Sequence, residues 1–160
     1  MSFYSTSPEA FLFDAARKGD VAQLQELIRQ QIDINSRDGR GFTPLILATY
    51  DDHLEAAQAL IAAGADVNIQ DYSGNTALMG VSFKGYPEIA RLLISQGADL
   101  NIQNGSGGTA LMFATLFGRN QLVKLLVEQG ADKTIRDSRG LTALDLAVQQ
   151  GNVEAVPYLE

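Results

Sequence analysis

The chain has 160 residues, 46% of them hydrophobic, so it can bury a core, and its composition excludes a disordered polymer. It has no cysteine, which excludes a disulfide framework and thiolate metal or redox chemistry. A formal charge of −7 disfavours nucleic acid and anionic membranes and favours a basic partner surface, unless the acidity serves solubility alone.

Met1-Ser2-Phe3-Tyr4-Ser5-Thr6 is a polar and aromatic lead-in without the basic-then-apolar pattern of a secretory signal. No apolar stretch approaches the ~20 residues that span a bilayer, and the cytoplasm is the expected compartment. Ser7-Pro8-Glu9-Ala10 reads as a helix start, with serine as N-cap and proline at the first helical position. The pattern predicts helices over 10–18 and 21–30 with a turn at Gly19. Arg17, Lys18, Gln23, Gln25 and Arg29 make a polar outer face, as a terminal unit needs.

From residue 37 onward the chain repeats itself. Thr43-Pro44-Leu45, Thr76-Ala77-Leu78, Thr109-Ala110-Leu111 and Thr142-Ala143-Leu144 are each 33 residues apart. Gly64-Ala65-Asp66, Gly97-Ala98-Asp99 and Gly130-Ala131-Asp132 keep the same step, the mark of stacked repeats. Each unit opens on a turn: Arg37-Asp38-Gly39-Arg40-Gly41, Asp71-Tyr72-Ser73-Gly74, Asn104-Gly105-Ser106-Gly107 and Asp137-Ser138-Arg139-Gly140. Asp38 can bond backbone N–H groups there, and glycine supplies positive φ.

After each turn a threonine caps a first helix, reaching about residue 51 in the second unit. A second helix follows, over 54–63, from near Pro87, over 122–128 and from Val153 onward. Gly64 is expected to end its helix in the left-handed conformation. Leu60, Leu93 and Leu126, with their apolar neighbours, form a core ladder, continued at Leu159. Pro157 is expected inside the last helix, kinking its end. Ala15, Ala48, Ala114 and Ala147 let helices approach closely, and Val81 takes that place in the third unit. The glycine before it, Gly80, is expected to make room for Val81.

Sites of chemistry are few. His53 is the only histidine and falls at a turn, where a structural role is expected. Asp51, Asp52 and His53 could at most hold a cation weakly. Gly105-Ser106-Gly107-Gly108 lacks the lysine and the strand-to-helix setting of a phosphate loop. The remaining aspartates are used in turns, so no pair is set up for acid–base work.

The pattern Asp-x-x-Gly-x-Thr-Pro-Leu, two helices, then Gly-Ala-Asp-x-Asn resembles the ankyrin repeat over about residues 9–160. The resemblance implies an all-α solenoid of stacked antiparallel helix pairs with β-hairpin-like finger loops. It implies one domain over 1–160, with units of about 4–36 (N-terminal cap), 37–69, 70–102, 103–135 and 136–160 (C-terminal cap). Histidine is common in such repeats at the third position of the first helix. Here Ile46, Met79, Met112 and Asp145 replace it, which removes that brace from the fingers, although Asp145 can form a capping box with Thr142.

Fingers and first-helix ends of ankyrin repeats line a concave face. Carried onto this chain, that face comprises Arg37, Arg40, Phe42 and Tyr50, then Tyr72, Asn75, Phe83 and Lys84. It continues with Ser106, Leu116 and Phe117, then Arg136, Arg139 and Leu141. Aromatics flanked by arginines suit protein recognition, although Phe83, Leu116 and Phe117 could instead pack as core. The implied function is a non-enzymatic, monomeric protein-binding module without cofactor, acting as adaptor or stoichiometric inhibitor. The alternatives are a small-ligand protein or enzyme with a polar pocket among the fingers, and a fragment of a larger repeat array.

Overall fold

Five helix starts use one device. Thr43, Thr76, Thr109 and Thr142 hold extended backbone, and their hydroxyls accept from Ile46, Met79, Met112 and Asp145 N–H at 3.2, 3.2, 3.3 and 3.2 Å. Ser7 does the same for Ala10 at 3.3 Å. Each such cap satisfies an N–H that the helix itself cannot. The structure, a computed structural model, describes residues 7–160, so the lead-in and the first residues of the first unit lie outside the described residues.

The caps start the first helix of each pair: α1 (Pro8–Lys18), α3 (Pro44–Tyr50), α5 (Ala77–Lys84), α7 (Ala110–Leu116) and α9 (Ala143–Gln150). The second helices are α2 (Val21–Arg29), α4 (Leu54–Ala62), α6 (Pro87–Ser95), α8 (Asn120–Glu128) and α10 (Val156–Leu159). First helices pack in sequence against one another, α1 on α3 through to α7 on α9, and second helices do likewise. The core is therefore a strip. Leu45, Leu78 and Leu111 run along it from the first helices, and Leu60, Leu93 and Leu126 from the second, all buried. Leu159 continues the second row and is buried as expected.

One carboxylate or amide organises each finger. Asp38 Oδ1 accepts from Arg40 and Phe42 N–H, Asp71 Oδ1 from Ser73 and Asn75, Asn104 Oδ1 from Ser106 and Gly108, and Asp137 Oδ1 from Arg139 and Leu141. The fingers are thus knit turns without the histidine brace, and no β-strand occurs among the described residues. They also bond one to the next: Tyr72 N–H to Arg40 O at 3.1 Å, Gly105 to Ser73 at 3.0 Å, and Ser138 to Ser106 at 3.0 Å. Gln70 and Gln103 each donate to a carbonyl of their own finger and to one of the next.

A second ladder joins the loops after the second helices. Asn35, Asn68 and Asn101 Oδ1 accept from Asp66, Asp99 and Asp132 N–H at 2.9, 2.7 and 2.8 Å. The next position in that register is Thr134, whose hydroxyl instead donates to Asp132. Asp145 and Thr142 form the expected capping box.

Val81 is fully buried, and a Cβ on Gly80 before it would meet the Tyr50 ring at 3.2 Å. One expectation is corrected. Pro157 does not interrupt a helix. Residues 153–155 form turns, α10 begins only at Val156, and the proline lies in its first turn, where an N–H has no helical partner to lose. The left-handed place taken by Gly64, Gly97 and Gly130 is filled in the first unit by Gln31 at φ 60°, which the glycine signature alone did not reveal.

Candidate functional site

The fingers and the ends of the first helices bring one aromatic row together. Tyr50 ends α3 and Phe83 lies one period later in α5, with their rings parallel within 4° and 6.3 Å apart between centroids. Phe83 meets Phe117 edge to face at 4.5 Å and 79°, and Lys84 Nζ stands 4.8 Å from the centre of the Tyr50 ring. Tyr50 and Phe117 remain exposed at 40% and 47%, and Phe83 between them is half-buried. Leu116 is half-buried against the core.

Beside this row lies a groove of about 460 Å³ between the second and third helix pairs. Arg40, Phe42, Tyr50, Asn75 and Phe83 of the expected face all line it. So do Ile46, Leu47, Met79 and Phe113, which the sequence reading left out, and which helical spacing on α3, α5 and α7 could have supplied. A smaller hollow of about 360 Å³ continues beyond Phe113, lined by Ser106, Leu116 and Arg139 among others.

Other members of the expected face have internal work. Arg139 pairs with Asp137 at 2.9 and 3.2 Å, and Arg136 Nη1 donates to Gly140 O at 2.7 Å. Asn75 Oδ1 accepts from Asn104 Nδ2 at 2.8 Å. Leu141 lies off the two hollows, beside Leu144 and Val156 at the end of the stack. Tyr72, by contrast, is 68% exposed on its finger, and Arg37 is exposed at the foot of the first.

Burial pushes the Asp137 carboxyl up. Hydrogen bonds from Leu141 N–H, the Arg139 side chain and Arg139 N–H, with the charge of Arg139, outweigh it and hold the group below the usual aspartate range. Asp145 is also lowered, first by Thr142 N–H, then by the Thr142 hydroxyl, with a smaller pull from Arg136.

His53 is a bridge between pairs. Its Nε2 lies 2.8 Å from Arg17 O, and its ring fills the space against Gly19. Arg119 and Asn152, in the same register, bond Phe83 O and Thr115 O at 3.0 Å each. Among the described residues no three His, Asp or Glu side chains gather to hold a metal ion.

Charge divides unevenly over the molecule. The second-helix segments, residues 21–36, 54–69, 87–102, 120–135 and 153–160, hold Glu26, Asp33, Glu55, Asp66, Glu88, Asp99, Glu128, Asp132, Glu154 and Glu160 against Arg29, Arg91, Lys124 and Lys133. That is −6 of the total −7, and the fingers, first helices and inter-helix turns share the remaining −1. The acidic field thus belongs to the side away from the aromatic row.

Helix pairs stacked in register, each touching only its neighbours and joined by bonded fingers, define a repeat solenoid. The family model "Ankyrin repeats (3 copies)" matches residues 12–104 and 80–160, and the chain belongs to the ankyrin repeat family. Over 60 residues it is 41% identical to ankyrin repeat domain-containing protein 29 of Danio rerio, a stretch covering 36% of this chain and 20% of that protein. The chain therefore matches only a minor part of that relative's length. Ankyrin repeats are generally protein–protein interaction modules and typically non-enzymatic. No helix among the described residues is long and apolar enough to cross a membrane.

Proposed function

We propose that this chain is a cytoplasmic, monomeric, non-enzymatic binding module that takes a protein partner across the face made by its fingers and first helices. The observation that carries this is the aromatic row Tyr50, Phe83 and Phe117, half-exposed and in mutual contact beside a groove. A row of rings held against one another is pre-ordered, so binding costs little side-chain entropy there. Arg40 lines the same groove and Lys84 stands over the Tyr50 ring; tyrosine and arginine are among the residue types that dominate binding energy at protein interfaces. The partner's contact surface need not be basic, because the acidic residues lie mostly elsewhere.

Affinity capture from the source organism, with the native chain and a Tyr50→Ala/Phe83→Ala double variant in parallel, tests this. The expected result is a protein recovered by the native chain and lost by the variant, whose circular dichroism and melting stay native-like. Loss of two hot-spot rings corresponds to at least about 2 kcal/mol, roughly thirtyfold in affinity. Equal recovery by both removes this face from the reading. Assaying the partner's own activity in the complex then separates a stoichiometric inhibitor from an adaptor.

A small-ligand site is the second reading, and the groove favours it by size, since ligand pockets span roughly 300–1,000 Å³. A specific thermal shift with one class of metabolite or nucleotide would support it over the first.

A further inference from the structure

One position along the groove carries no side chain. Positions 47, 80 and 113 share one register on the first helices and carry Leu47, Gly80 and Phe113. Leu47 and Phe113 line the groove from either side, Met79 and Thr76 contribute from α5, and Tyr50 leans over Gly80. Together they make a largely apolar hollow.

The charges around it give the occupant a direction. Two cations line the groove, Arg17 and Arg40. Arg17 is held by Asp38 at 3.3 Å, whereas neither Arg40 nor the nearby Arg37 has a side-chain bond among the described residues. Of the two lining carboxylates, Asp71 is buried and its Oδ1 is taken by Ser73 and Asn75 N–H. Asp51 lies at the far end of α3, a helix of seven residues, or about 10 Å from the finger end at 1.5 Å per residue. The finger end of the hollow therefore offers two guanidiniums without a side-chain partner among the described residues, Arg40 and its chain neighbour Arg37, against the single buried carboxylate of Asp71.

We propose that this groove takes a linear segment of a partner protein in which a large apolar side chain adjoins a carboxylate. The apolar group enters the hollow among Leu47, Met79 and Phe113, and the carboxylate meets Arg40, with Arg37 adding to the attraction. This inference rests on the protein-binding reading above and names the chemistry of its partner. A guanidinium facing a carboxylate forms a charge-assisted, two-pronged bond that a lysine- or arginine-bearing segment cannot replace. An acidic segment also avoids the acidic second-helix side by binding on the opposite face.

The test is a selection of random peptides displayed on phage against the native chain, followed by fluorescence anisotropy with the enriched sequences. Expected are peptides with Asp or Glu next to Leu, Phe or Trp. Their affinity should fall at least about tenfold in Gly80→Leu, which crowds the hollow and the Tyr50 ring at its wall, and about fivefold in Arg40→Gln, which stays polar and drops the charge. Both variants are checked by thermal melting, and Arg40 is an exposed finger residue whose replacement leaves the core intact. Enrichment of basic-apolar peptides, or unchanged affinity in Arg40→Gln, overturns the inference. In that case the binding face stands as long as Tyr50→Ala/Phe83→Ala still abolishes binding. Failure to enrich any peptide overturns the linear-segment inference and leaves the capture experiment to judge the broader reading. Peptides indifferent to both Gly80→Leu and the double aromatic variant overturn both.

Discussion

Tyr50 and Gly80 fit together across two helix pairs: a Cβ on Gly80 would lie 3.2 Å from Cδ1 of the Tyr50 ring. Glycine inside a helix costs about 1 kcal/mol relative to alanine, so α5 gives up local stability where the ring and the groove need space. Gly80→Ala is expected to raise unfolding free energy by about 0.5–1 kcal/mol, because the half-exposed Tyr50 ring can shift outward. Urea unfolding measures it. A loss of stability would mean that the ring is fixed and the contact is core packing.

Gly41 and Gly140 offer a matched pair. Both hold φ +81°, but a Cβ on Gly41 would meet Tyr72 N at 2.7 Å, while one on Gly140 meets nothing within 4 Å. Gly140→Ala should cost about 1 kcal/mol for the left-handed backbone alone, and Gly41→Ala roughly 2–3 kcal/mol because the next finger must move. Equal losses in denaturant unfolding would show that the fingers do not bear on one another.

The last helix pair should be acid-sensitive. The Asp137 and Asp145 carboxyls are both held below their ordinary range in the folded chain. A lowered folded pKa gives stability that is complete above the unfolded value and lost as pH falls through the folded one. Protection of the amides at the start of α9, relative to their intrinsic exchange rate at each pH, should therefore fall as pH drops below the ordinary aspartate range. Asp145→Asn should flatten that response. An identical pH profile in the variant would refute the role of this carboxylate.

Val148 is 65% exposed, whereas Thr49, Ser82 and Thr115 in the same register are fully buried by the following pair. With Leu141, Leu144 and Val156, and with Asp145, Gln149 and Glu160 beside them, it borders an open hollow of about 510 Å³. Val148→Gln is expected to leave the unfolding midpoint within about 0.5 kcal/mol and to lower light scattering at high protein concentration. Unchanged scattering would mean that this end of the stack does not drive self-association.

Sequence alone determined the architecture, because its devices act within a few residues. A threonine hydroxyl caps the N–H three positions on, Asp38 closes a finger through the N–H groups two and four positions on, and Leu60, Leu93 and Leu126 reveal their row by period. Five of the expected contact residues, Arg40, Phe42, Tyr50, Asn75 and Phe83, could be placed by register, and they do line one groove. Tertiary structure decided what register cannot express. Arg139 and Arg40 look alike as finger arginines, yet only Arg139 has its charge taken, by Asp137. The ring that lies against Gly80 stands 30 residues away. Whether a side chain is available to a partner depends on such distant contacts, and local patterns carry no record of them.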